Sequence, residues 1–169
     1  MPKLIKNQDI IDDNYQLLET VPAADQPLPE GNLLVPLTDW LENQQRYNNH
    51  SGKVGVWLDS HEEPELLAGQ AQSLPVIAIN FPQFTDGRGY STGRLLRERF
   101  GFLGELRAIG DVLRDQLFYM ARCGFNAFAI RADRCIHDAL NGLKDFSETY
   151  QAAVDQPQPL FRRRQMQAE

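Results

Sequence analysis

Five short apolar runs recur along most of the chain: LLVP (residues 33–36), VGVWL (54–58), VIAIN (76–80), ELRAI (105–109) and FNAFAI (125–130). Strands that are apolar throughout, rather than at alternate positions, are buried on both faces, and they belong to parallel sheets covered by crossover helices. The segments between them carry helical patterning and predict helices over residues 38–47, 62–71, about 91–100, 111–123 and about 136–154. The expected fold is therefore α/β, a single domain of about five parallel βα units. An open flavodoxin-like sheet and a partial (β/α) barrel both fit such units, and the open sheet is the favoured arrangement. Either way, right-handed crossovers collect the strand-to-helix loops on one edge, where such folds bind ligands.

A length of 169 residues suits one core. The first thirty residues read as an extension with a short hairpin around Asn7-Gln8-Asp9. PAADQPLPEG (22–31) follows as a linker, because three prolines and a glycine in ten residues forbid a helix or a central strand. The α/β domain is expected over 31–155 and a mobile tail over 156–169, its triple arginine a solvated end. No run approaches the ~18 apolar residues of a membrane span, and MPKLIKNQDIIDDN has no apolar signal region, so the expected location is cytoplasmic. Cys123 and Cys135 have no metal-like spacing with His50, His61 or His137; no metal site is expected, and both thiols are expected to be buried spectators.

The net charge of -6 hides an asymmetry: residues 81–137 hold nine bases and six acids, while residues 1–80 hold four bases and twelve acids. An acidic chain with a positive middle suits a small anion or a phosphate-bearing ligand rather than nucleic acid, which needs a broad basic surface. Seven of the twelve glycines and seven of the thirteen arginines fall between Gly87 and Gly124. The loop FPQFTDGRGY (81–90) is longer than the two to six residues usual between a strand and its helix, and extra length at that edge serves a ligand. Gly87 and Gly89 allow a tight turn that presents backbone amides. Arg94 and Arg114 are expected within the first turns of neighbouring helices, against the macrodipole, where a negative group would compensate them. The candidate ligand residues are Asp86, Gly87, Arg88, Gly89, Tyr90, Ser91, Arg94, Asp111, Arg114, Asp115 and Gln116. The alternative is an internal network in which Asp86, Asp111 and Asp115 neutralise those arginines. GxGxxxG over 87–93 is only a near miss for a dinucleotide fingerprint, since PQFTD separates it from the strand.

The stretch from Phe81 to Phe128 resembles a bacterial family of unknown function whose members carry FPxFTDGRGYSxARLLRER, GELRAxGDVLxDQ and RCGFDAF. Two departures are Gly93, where alanine is common, and Asn126, where aspartate is frequent. Genes of that family neighbour those of sulfite reductase, and its usual label is an oxidoreductase of sulfite reduction. The resemblance thus implies an accessory protein or oxidoreductase component of assimilatory sulfite reduction, with sulfite reductase components as partners. A noncatalytic module that senses an anion or docks on the reductase is the other implied role. No flavin, haem, iron-sulfur or nicotinamide motif is visible, so the cofactor is left unassigned.

Overall fold

The structure, a computed structural model, describes residues 2–166. Eight strands form one sheet: β1 (Lys3–Lys6), β2 (Asp9–Asp12), β3 (Tyr15–Leu17), β4 (Asn32–Pro36), β5 (Val54–Leu58), β6 (Val76–Phe81), β7 (Glu105–Gly110) and β8 (Ala127–Phe128). Their spatial order is β2-β1-β8-β7-β6-β5-β4-β3, so β3 to β8 run parallel in chain order and the antiparallel β1–β2 hairpin pairs with β8. A doubly wound flavodoxin-like sheet reverses its order part way along. This one never does, so of the two expected arrangements it is the partial barrel that forms.

The terminal strands β2 and β3 are joined by only Asp13 and Asn14. Three Cα steps separate Asp12 from Tyr15, a reach of at most ~11 Å. The sheet must therefore curl until its two edges approach, and it forms a half-barrel. Residues 3–17 supply both edges of the sheet, with the expected hairpin turn at Asn7 and Gln8, both of which have positive φ.

Among the described residues six helices accompany the sheet: α1 (Leu37–Glu42), α2 (Gln44–Asn48), α3 (Arg88–Glu98), α4 (Leu117–Arg122), α5 (Ile136–Asn141) and α6 (Leu160–Met166). The larger apolar core lies between the outer sheet face, with Leu33, Val56, Ile77, Ile79, Leu106 and Phe128, and residues such as Trp40, Leu96, Leu117 and Met120 of α1, α3 and α4. The inner face packs Leu34, Val76, Ala78 and Ile109 with Tyr15, Trp57 and Ala129. Small residues alternate with large ones there, as a tight barrel interior requires.

Several expected helices are shorter or broken, each for a local reason. Asn43 splits 38–47 into α1 and α2, its side-chain amide donating to the Asp39 carbonyl at 3.3 Å. Pro64 opens one 3-10 turn and Gly69, at φ +81, ends it, so 62–71 forms no α-helix. The last expected helix stops at Asn141; a 3-10 turn follows over Gly142–Lys144, and residues 145–159 are irregular. The expected tail carries α6, whose Arg163 donates to Glu148 and to the Thr149 carbonyl; residues 167–169 lie outside the described residues. Cys123 is buried, but Cys135 is exposed rather than buried. Among the described residues no helix is long and apolar enough to cross a membrane.

Candidate functional site

The register of the parallel strands brings Asp59, Asn80, Asp111 and Arg131 to the carboxyl edge of the half-barrel. Side-chain contacts tie these strand ends in two groups. Asp59 Oδ1 accepts from Asn80 Nδ2 at 3.0 Å and from the Ser60 amide at 2.8 Å. Arg88, at the start of α3, donates from Nη2 to Ser60 Oγ at 3.0 Å and grips Asp86 through Nε and Nη2 at 3.0 and 2.7 Å. Across the opening, Asp111 accepts from the Phe84 amide at 2.9 Å and from Arg131 Nη1 at 2.6 Å, while Arg131 holds Asp133 with Nε and Nη2. The Arg88 guanidinium, with Ser60 and the Arg88 amide, holds the Asp86 carboxyl far below the usual range. Asp133 and Asp111 likewise push Arg131 upward.

The sequence-derived residues divide among different surroundings. Asp86, Arg88 and Asp111 sit on this rim. Arg94 lies in the second turn of α3, because that helix starts at Arg88 and not near Ser91; its Nε donates to Glu98 at 2.9 Å. Arg114 belongs to a 3-10 turn and pairs with Asp145 at 2.8 Å and Asp138 at 3.7 Å. The three arginines therefore serve separate ion pairs and do not surround one hollow. Asp111 lies in the loop before the 3-10 turn that leads into α4, and Asp115 and Ser91 are exposed. Gln116 is buried and accepts from the Leu113 amide at 2.9 Å. Tyr90 is half-buried and packs edge-on against Phe81 at 5.2 Å.

The glycines likewise have a packing reason. Gly87 has φ -88 and ψ 0, which any residue can adopt. A Cβ on Gly89 would stand 2.7 Å from the Phe81 ring and one on Gly93 would stand 2.5 Å from the Phe125 ring, so the spacing lets α3 press onto aromatic side chains of the core. They do not form a nucleotide-cradling loop.

Sequence reasoning missed the interior of the half-barrel. Arg107, 2% exposed, donates from Nε to Glu105 at 2.7 Å and from Nη1 to both Asp13 oxygens at 3.0 Å, over the Tyr15 ring. Lys6 Nζ completes the cluster 2.7 Å from Glu105. Two cations balance two anions, the condition on which buried charge is tolerated. Cavities of 230 and 280 Å³ flank Arg107, the second opening among Leu17, Leu34, Ile109, Ala129 and Arg131. The signal was available: Glu105 and Arg107, two apart in a strand, share a face. Arg97 is half-buried and donates to the carbonyls of Phe102, Gly104 and Gly124.

A larger cavity of 480 Å³ lies away from the rim, beside α4, lined by Arg94, Tyr119, Cys123, Phe146 and Tyr150 among others. Burial pushes the Cys123 thiol up. Among the described residues no cluster of three His, Cys, Asp or Glu side chains could hold a metal ion.

Sheet order and polar rim together define a single-domain α/β half-barrel with its polar loops gathered at the carboxyl edge. A family model described as a bacterial protein of unknown function, DUF934, matches residues 55–161, and the chain belongs to that family. No curated protein and no solved structure matches it.

Proposed function

We propose that the carboxyl-edge rim is the working surface of this protein, and that there Arg88 receives a small oxyanion such as sulfite. The observation that carries this reading is the state of Arg88: its side chain is 61% exposed, two of its nitrogens are fixed by Asp86 and Ser60, and Nη1 has no hydrogen-bond partner among the described residues. A guanidinium held by one edge keeps the other oriented for a ligand. The likeness of residues 81–128 to a family linked with sulfite reduction supports sulfite as that anion and supports an accessory or oxidoreductase role in that process.

One observation favours a second reading. Among the described residues the rim holds five carboxylates, Asp59, Glu62, Asp86, Asp111 and Asp133, against three guanidiniums, Arg88, Arg131 and Arg134. That balance suits a basic patch on a partner protein, such as a sulfite reductase component, in a docking role. Thermal denaturation with increasing sulfite separates the two. A saturable rise in Tm that Arg88→Ala removes supports the anion site. No rise with sulfite, together with salt-sensitive binding to the reductase that Asp86→Asn weakens, supports docking.

A further inference from the structure

The 480 Å³ cavity beside α4 is walled on one side by Phe118 and Tyr119 and on the other by residues 146–153, including Phe146 and Tyr150. Three of these rings are largely solvent-exposed: Tyr119 at 60%, Phe146 at 64% and Tyr150 at 71%. Aromatic surface concentrated around one concavity is unusual for a soluble domain, where large exposed apolar patches mark binding sites.

The far wall is irregular in backbone yet firmly fastened. Arg122, buried beneath it, donates to Thr149 Oγ1 at 3.1 Å, to Asp155 at 2.9 Å and to the Gln151 carbonyl. Arg163 of α6 donates to the Thr149 carbonyl at 2.8 Å and to Glu148 at 2.9 Å. Phe118 and Phe146 join the walls with ring centroids 4.9 Å apart, and Tyr90 braces Tyr119 at 5.2 Å. The groove is thus a built feature rather than a gap beneath a loose loop.

Arg94 stands at its edge. Only Nε is engaged, by Glu98, so among the described residues Nη1 and Nη2 have no partner, and the side chain is 55% exposed. A planar fork beside exposed aromatic faces offers phosphate recognition at one end and stacking at the other.

We propose that this groove is a second ligand site, distinct from the rim, which binds a planar heterocycle carrying a phosphate, a purine nucleotide, with the ring against Tyr119 and the phosphate on Arg94. The chemistry is binding alone, and it does not depend on whether sulfite occupies the rim.

Isothermal titration calorimetry with AMP and with adenosine tests it. Wild-type protein is expected to bind AMP saturably. Arg94→Ala should weaken AMP about tenfold or more and leave adenosine unchanged. Tyr119→Ala should weaken both, and Arg88→Ala neither. Both groove side chains are exposed, so unchanged thermal melts verify that the variants fold. Absence of saturable AMP binding at millimolar concentration overturns the proposal, as does binding unchanged in both groove variants or lost in Arg88→Ala.

Discussion

Arg107 and Asp13 are 94 residues apart in sequence, yet the Arg107 Nη1 lies 3.0 Å from each oxygen of the Asp13 carboxylate. Asp13 is the first of the two residues that join the edge strands β2 and β3, so this contact pins the seam of the curled sheet to its interior. Arg107→Ala would leave Glu105 and Asp13 as charges without their main partner inside the half-barrel. The expected cost is about 3 to 5 kcal/mol, measured as the shift in urea midpoint at constant m. Arg107→Leu with Glu105 and Asp13 unchanged should cost a similar amount, since the orphaned carboxylates rather than lost packing carry the penalty.

Gly110, at the carboxyl end of β7, has φ +91, and a Cβ there would stand 2.5 Å from the Phe81 carbonyl oxygen. Gly110→Ala is expected to destabilise by roughly 1 to 3 kcal/mol and to loosen the rim, because the next residue, Asp111, donates its amide to that same carbonyl at 2.7 Å. Faster exchange of the Asp111 amide would register the second effect.

Asn126 Oδ1 accepts from the Leu106 amide at 2.8 Å and from Arg97 Nη2 at 3.3 Å. Asn126→Asp keeps the oxygen that accepts both bonds and adds a charge beside a guanidinium that otherwise meets only carbonyls. A gain of about 1 kcal/mol is expected, a rise in Tm of a few degrees. The partner lowers the introduced carboxyl's pKa, so the gain is present above pH ~4 and disappears as pH falls below it.

Tyr15, Tyr47 and Tyr90 all have raised phenol pKa values, with burial the largest cause; the Tyr47 hydroxyl also donates to Asp39. A raised pKa contributes stability that is complete below the unfolded value of ~10 and is lost as pH rises through the folded values. Stability should therefore fall above pH ~10. An ultraviolet phenolate titration should show these three ionising later in the native protein than in the unfolded chain.

What was legible in the sequence is what local pattern controls. The apolar runs became β4 to β8, though only Ala127 and Phe128 of the last run pair as strand. The hairpin turn at Asn7 and Gln8 was visible, but its place in the sheet was not, because Ile5 pairs with Phe128 across more than a hundred residues. Strand order was undecided for the same reason: it depends on long-range pairing. The arginine-rich stretch was conspicuous, and Arg88 reached the rim, yet Arg94 and Arg114 found carboxylates elsewhere once α3 began three residues early and Gln116 capped a 3-10 turn. Asp59 and Arg131 escaped notice because each lies just past a strand end and gains its meaning only from the neighbouring strand.

The proposal for the rim is tested most directly by following the arginine Nε–Hε resonances during a sulfite titration. Saturable shifts of the Arg88 signal are expected, with Arg94 and Arg114 unmoved. Shifts that never saturate, or that appear at Arg94 or Arg114 while Arg88 stays still, would contradict it.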